Sequence, residues 1–290
     1  MLSRHNIKAD TVILAIGQGP KRKPIWIASS PYLMRKKSLI SFTVCIIIIF
    51  LYPRLRVHRL KNECEVKMDK LVRKIEIPLA RKAIERAGLY IVGEQDIDRL
   101  AEVAADAYKD YPLHNWFTKG TYDAKASRLV MQISLKTMTE DAVIYADSEE
   151  INGFAVWLPF GFTGSKTLPF LMNGGFSLIL HSGLGIIGRL LTYETYAMNL
   201  KKEFTDNYDW YLYNLSIRKD AQGKGIASKL MRPMLQFCDD ERMVAYLETN
   251  KETNVSLYKH YGFDLMREEL IPKTPVTHYS MVRKPIGDDE

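Results

Sequence analysis

The sequence predicts a mixed α/β domain, and three observations carry that prediction. From residue 88 onward, short runs of branched and aromatic residues alternate with stretches of helical periodicity. The segment 210–247 has the strand–loop–helix–strand spacing of a βαβ unit, whose two strands run parallel. The composition, 47% hydrophobic, 26% charged and 11% aromatic, is that of an ordinary globular chain and excludes a disordered or collagen-like one.

The elements follow in order. Leu89-Tyr90-Ile91-Val92 reads as a short strand. Asp96 is placed to cap a helix whose apolar face is Ile97, Leu100, Val103, Ala104 and Tyr108, and Tyr111-Pro112 ends it. A second helical pattern runs from about Tyr122 to Met138. Ala142–Ala146 and Gly153–Leu158 read as a hairpin around Ser148-Glu149-Glu150. Residues 160–206 interrupt the pattern as an insert. They read either as one or two helices packed on the sheet or as a lid over a substrate pocket. Asn173, His181 and Arg189 argue against a membrane span there. Trp210–Ile217 is the next strand, Arg218–Gly225 a tight polar loop, and Ile226, Leu230, Met231, Met234, Leu235 and Cys238 mark one face of a helix. Pro233 inside that helix predicts a kink. Val244–Leu247 closes the βαβ unit.

The charge divides the chain. Residues 1–67 hold 13 of the 41 basic and 3 of the 34 acidic residues, a net charge of +10, which leaves −3 on residues 68–290. The basic stripe that a nucleic-acid-binding body needs is therefore missing. The expected organisation is a basic extension, 1–67, and a folded domain, 68–290, with the insert at about 160–206. The apolar run 39–52 would cover about 21 Å as a helix, short of a hydrocarbon core of about 30 Å. It reads as a short signal anchor or as a buried element. Met68 is also a plausible natural start, which would leave residues 1–67 out of the mature protein. Pro53-Arg54 makes no cleavage site, so export is not expected. Cys45, Cys64 and Cys238 are too widely spaced for a disulfide scaffold, and a reducing compartment is expected. His114, His181 and His278 have no metal-ligand spacing, so no metal is expected.

Gln222-Gly223-Lys224-Gly225-Ile226-Ala227 joins a strand to a helix N-terminus. Unpaired N–H groups and the positive end of the helix dipole favour a phosphate there, and the two glycines let the backbone approach it. On its own the loop also reads as a simple turn. However, Gln222-x-x-Gly225-x-Ala227 resembles the acetyl-CoA motif of the GNAT superfamily of N-acetyltransferases. Asn254-Val-Ser-Leu-Tyr258, followed by Gly262-Phe263, resembles that family's second motif, and Leu247-Glu248 ends the intervening strand where many members carry a carboxylate. The specific motifs span 210–263, and the element order extends the resemblance to about 88–285.

The resemblance implies a central, mostly antiparallel sheet with one parallel βαβ pair and helices on both faces. It implies that the main chain of Leu215, Ser216 and Ile217 pairs with the pantetheine amides of acetyl-CoA, and that one of these N–H groups polarises the thioester carbonyl. The N–H groups of Gly223 through Ser228 would cradle the pyrophosphate. Tyr258 is implied as general acid, with aromatic packing as the other reading. Glu248 reads as the base or as a carboxylate that attracts the cationic amine. Asn254 reads as a cofactor-orienting residue or as a helix cap. Tyr111–Phe117 is placed by the resemblance near the acceptor, and reads equally as a satellite core.

The expected function is acetyl transfer from acetyl-CoA to an amine of a small molecule or a protein, by direct attack. Two alternatives stand beside it: a longer acyl-CoA donor in the same fold, and a non-catalytic CoA-binding module tethered to a membrane through 39–52. Use of acetyl-CoA implies a cytoplasmic catalytic body, with or without an anchor. The identity of the acceptor is not written in these motifs.

Overall fold

The computed structural model describes residues 12–16, 25–29, 74–159, 167–205 and 209–287. The chain divides into two compact units, 1–68 and 69–290. In the first, strands β1 (Val12–Ile16) and β2 (Ile25–Ser29) form an antiparallel hairpin in register from Val12↔Ser29 to Ile16↔Ile25. This pairing was not anticipated, although Gly17-Gln-Gly-Pro20 between the strands carries turn residues. The apolar run 39–52 and Met68 lie outside the described residues. Among the described residues, no helix is long and apolar enough to cross a membrane.

The second unit is a seven-stranded sheet in the order β3-β4-β5-β6-β7-β9-β8. Its strands are β3 (Tyr90–Ile91), β4 (Val143–Ala146), β5 (Gly153–Leu158), β6 (Asp209–Ile217), β7 (Val244–Thr249), β8 (Asp264–Leu270) and β9 (Thr277–Arg283). Every neighbouring pair is antiparallel except β6 and β7, which are parallel as the βαβ spacing requires. The helices are α1 (74–86), α2 (Ile97–Ala107), α3 (Pro112–Phe117), α4 (Ala124–Met138), α5 (Thr167–Phe170), α6 (Phe176–Ser182), α7 (Leu184–Thr205), α8 (Ile226–Asp240) and α9 (Glu252–His260).

Alternation along the strands places helices on both faces. Ile144 and Ala146 of β4 pack in one core with Leu100, Val103 and Ala104 of α2 and Met131 and Leu135 of α4. Tyr145, between them, points the other way and donates its hydroxyl to the Leu230 carbonyl of α8 at 2.7 Å. Where described, the insert is helical apart from the break at Gly183, and a π-helical turn, Leu171–Gly175, links α5 to α6. A buried ion pair fastens it to the sheet: Lys201 Nζ of α7 lies 2.7 Å from Asp209 Oδ1 at the start of β6.

Two local expectations change. Asp96 does not cap α2 with its side chain. Its carboxylate turns back to accept from the Gly93 N–H at 2.8 Å and the Tyr90 hydroxyl at 3.1 Å. Asp123 is the residue that caps a helix, α4, accepting from the Ala126 N–H at 2.9 Å. The first strand is trimmed to Tyr90–Ile91, which stand opposite Ala146 and Tyr145 of β4, and the Val92 N–H just beyond it still donates to the Ile144 carbonyl at 3.4 Å. Helix α8 runs on through Pro233 to Asp240, with Met231, Met234, Leu235 and Cys238 buried on both sides of the proline. Burial of that face outweighs the lost hydrogen bond.

Candidate active site

The site begins where two parallel strands part. β6 and β7 pair only from Asp209↔Val244 to Leu212↔Leu247. Beyond Leu212, β6 continues to Ile217 paired with β5, and on its β7 side no strand follows among the described residues. A bulge assists the divergence. Val156 opposes Asn214 and Trp157 opposes Leu212, so Tyr213 is the extra residue. The result is a stretch of strand, Tyr213–Ile217, whose outer backbone edge is open to an extended ligand.

A cavity of about 190 Å³ lies at this fork. Its lining includes Leu215 of β6, Glu248 of β7, and Asn254 and Tyr258 of α9, so it brings together four residues singled out from the motifs. Tyr111, Leu113, His114 and Phe117 also line it, which puts the aromatic segment on the cavity wall. The insert closes another side with Phe170, Leu171, Ile187, Leu190 and Tyr193. The described helices of the insert thus form part of the pocket wall.

Glu248 is the electrostatic centre. Its side chain is 7% exposed. Oε1 accepts from the Tyr211 hydroxyl at 2.7 Å and the Tyr193 hydroxyl at 3.1 Å, and Oε2 accepts from the Tyr246 hydroxyl at 3.3 Å. His278 Nε2 stands 3.8 Å from Oε2. Burial, reinforced by the Glu248 carboxylate, pushes all three phenols well above the ordinary tyrosine range. They stay protonated and act as donors. Burial holds His278 below the usual histidine value, with Glu248 pulling partly the other way. None of these four partners was foreseen. They come from α7, β6, β7 and β9: the sheet brings Tyr211, Tyr246 and His278 to the carboxylate, and the packing of α7 brings Tyr193.

Tyr258 is buried against Phe263, with ring centroids 6.1 Å apart, and it also lines the cavity. Burial, followed by the neighbouring Tyr111, raises its phenol above the ordinary value. Asn254 does not cap α9, because Lys251 occupies the cap position. Its amide instead donates to Thr249 Oγ1 at 3.1 Å, tying α9 to the end of β7. Tyr111 strengthens the same corner: its hydroxyl lies 3.0 Å from Thr249 Oγ1 and accepts from the Asn250 N–H at 2.8 Å.

The glycine loop lies outside the cavity lining. Gly223 and Gly225 have φ of 77° and 80°, so both need glycine for conformation. A Cβ at either would meet nothing within 4 Å, so the space above the loop is open. Gly225 is the N-cap of α8 and supplies no side chain, leaving the first-turn N–H groups of Ile226, Ala227 and Ser228 facing outward. Gln222 bridges back to β6, donating from Nε2 to the Ile217 carbonyl at 3.2 Å. Lys224 is exposed. The Ser228 hydroxyl is already engaged with the Tyr261 hydroxyl at 2.9 Å. An open strand edge, an uncapped helix start and two glycines with clear space above them fit a nucleotide-bearing thioester.

The acetyltransferase (GNAT) domain family matches residues 181–265. A protein of Schizosaccharomyces pombe described as an uncharacterized N-acetyltransferase is 24% identical over 191 residues, 59% of this chain and 72% of its own length. A solved structure described as histone acetyltransferase HPA2 and related acetyltransferase, from Corynebacterium glutamicum, superposes with a TM-score of 0.50 at 19% identity. The superposition covers 68% of this chain and 95% of that one. The family match runs through β6, the glycine loop, α8, β7 and α9, the elements from which the fork is built, so that residues 181–265 carry the likeness to an acetyltransferase (GNAT) domain.

Proposed function

We propose that the chain acetylates a primary amine whose ammonium is received at Glu248, with acetyl-CoA lying along the open edge of Leu215, Ser216 and Ile217 and its pyrophosphate on Gly223 through Ser228. Acetyl-CoA supplies the activated acetyl thioester. The observation that carries this reading is the convergence of a buried carboxylate and a buried phenol, Glu248 and Tyr258, on one cavity at the β6–β7 fork.

Each residue has a chemical task. Glu248 attracts the ammonium and accepts the proton that must leave before the nitrogen can attack. Tyr193, Tyr211 and Tyr246 hold that carboxylate by hydrogen bonds and keep it oriented. An N–H of the 215–217 edge polarises the thioester carbonyl, a contribution worth about 2.7–4 kcal/mol in comparable acyl-transfer sites. Tyr258 keeps its proton at neutral pH and donates it as a hydrogen bond while negative charge builds on the departing sulfur. In the balanced reaction a C–N bond forms, the C–S bond breaks, the ammonium loses two protons, and the thiolate gains one. The use of acetyl-CoA supports a catalytic body that faces the cytoplasm.

The test is thiol release from acetyl-CoA by the Glu248→Gln variant. Near neutral pH turnover should fall by about 10²-fold or more. The deficit should narrow as pH approaches the amine's own value near 10, where free amine is abundant. A small deficit that does not change with pH would remove Glu248 from the reaction.

A further inference from the structure

We infer that the acceptor is a hydrophobic monoamine, with its single ammonium at Glu248 and its carbon body against the apolar wall that the insert adds to the cavity. This inference rests on the acetyl-transfer reading above and narrows it to a substrate class.

The lining is asymmetric. Leu113, Phe117, Val130, Leu171, Ile187 and Leu190 form an apolar surface drawn from α3, α4 and the insert. Among the described residues no Lys or Arg lines the cavity, so no fixed cation there would pair with an acceptor's carboxylate or phosphate. Two carboxylates line the cavity, Glu194 and Glu248, and Glu248 is the one that collects three tyrosine hydroxyls. Such a site rewards one cation attached to apolar carbon. A second ammonium or a peptide main chain laid on the same wall would lose water without gaining partners. Size agrees with the chemistry. A cavity of 150 Å³ in another protein binds benzene, so about 190 Å³ suits a single ring or a short alkyl chain. Leu191, which lines the cavity and is 45% exposed, places the mouth on the α7 side. Glu194 of α7, the other lining carboxylate, has interactions of its own, and it is the position varied below to test for a second charge.

The experiment measures thiol release from acetyl-CoA by the full chain with propyl-, butyl-, pentyl- and hexylamine and 2-phenylethylamine. The comparison set is 1,4-diaminobutane, spermidine and a lysine-containing peptide. The expected result is kcat/KM rising about fourfold for each added CH₂ until the cavity is filled, with 2-phenylethylamine more than tenfold above 1,4-diaminobutane. A flat or falling ladder, or preference for the peptide, overturns the inference. A diamine preference that disappears in Glu194→Gln also overturns it, by assigning the second charge to Glu194. If no amine releases thiol, the acetyl-transfer reading fails, and calorimetric binding of the same amines still decides the substrate class. Affinity that climbs with chain length upholds it, and affinity that does not overturns it.

Discussion

The Tyr211 hydroxyl donates to Glu248 Oε1 across 2.7 Å. This contact bridges the two parallel strands just where they part: Tyr211 sits opposite Tyr246, one step before the last paired residues, Leu212 and Leu247. The bond therefore orients the carboxylate and also restrains the fork. Hydrogen bonds to charged groups are worth about 1.5–3 kcal/mol. Tyr211→Phe should lower unfolding stability by that amount in a urea titration and should also reduce kcat/KM. Unchanged stability and unchanged kcat/KM would mean that Tyr193 and Tyr246 suffice to hold Glu248.

The glycine loop makes a separable prediction. Gly225 lies at φ 80° with open space above it. Asparagine tolerates that conformation better than other side chains, so Gly225→Asn should fold with little loss of stability. Its side chain would enter the space assigned to the pyrophosphate, and acetyl-CoA affinity should drop by tenfold or more in a calorimetric titration. Retained affinity would reduce the loop to a turn.

How much of this was legible in the sequence depends on distance along the chain. The β6–loop–α8–β7 unit was readable because each piece signals locally: branched and aromatic residues in the strands, glycines in the loop, and Leu230, Met234 and Cys238 at helical spacing. The parallel pairing followed from connection length alone. The surroundings of Glu248 were not readable. Tyr193 and His278 lie 55 residues before it and 30 after it, and no local pattern marks them as neighbours of a carboxylate. The same limit explains Asp96 and Asn254. Asp96 stands at the cap position and Asn254 in the first turn of its helix, and the Tyr90 hydroxyl and Thr249 Oγ1 engage their side chains instead. The insert was visible as an interruption, yet its contribution of Tyr193 to Glu248 needed three-dimensional placement.

His114 gives the protein a built-in acid sensitivity. It is buried, stacked on Tyr108 at 4.0 Å, with Nδ1 2.8 Å from the Ser127 hydroxyl, and burial pushes it down to about 3. Its folded value is below its unfolded value near 6.5, so between those values the unfolded chain binds the extra proton. The stabilising effect is complete above about pH 6.5. It is lost as pH falls toward 3, by up to about 1.4 kcal/mol per pH unit. His114→Gln keeps a polar partner for Ser127 and removes the titration. Urea midpoints from pH 7 to pH 4 should decline less steeply in the variant than in the parent. Parallel declines would show that His114 is not the source.

The most direct test of the central claim, that an amine is acetylated in the cavity shared by Glu248 and Tyr258, is turnover of Tyr258→Phe measured beside its acetyl-CoA affinity. The ring that packs on Phe263 is kept and only the hydroxyl is lost. Thiol release should fall by about 10²–10⁴-fold, the usual contribution of a positioned acid, while acetyl-CoA affinity and unfolding stability stay near the parent values. Near-normal turnover with normal affinity would contradict the account, because the proton for the leaving sulfur would then come from elsewhere and Tyr258 would be a packing residue.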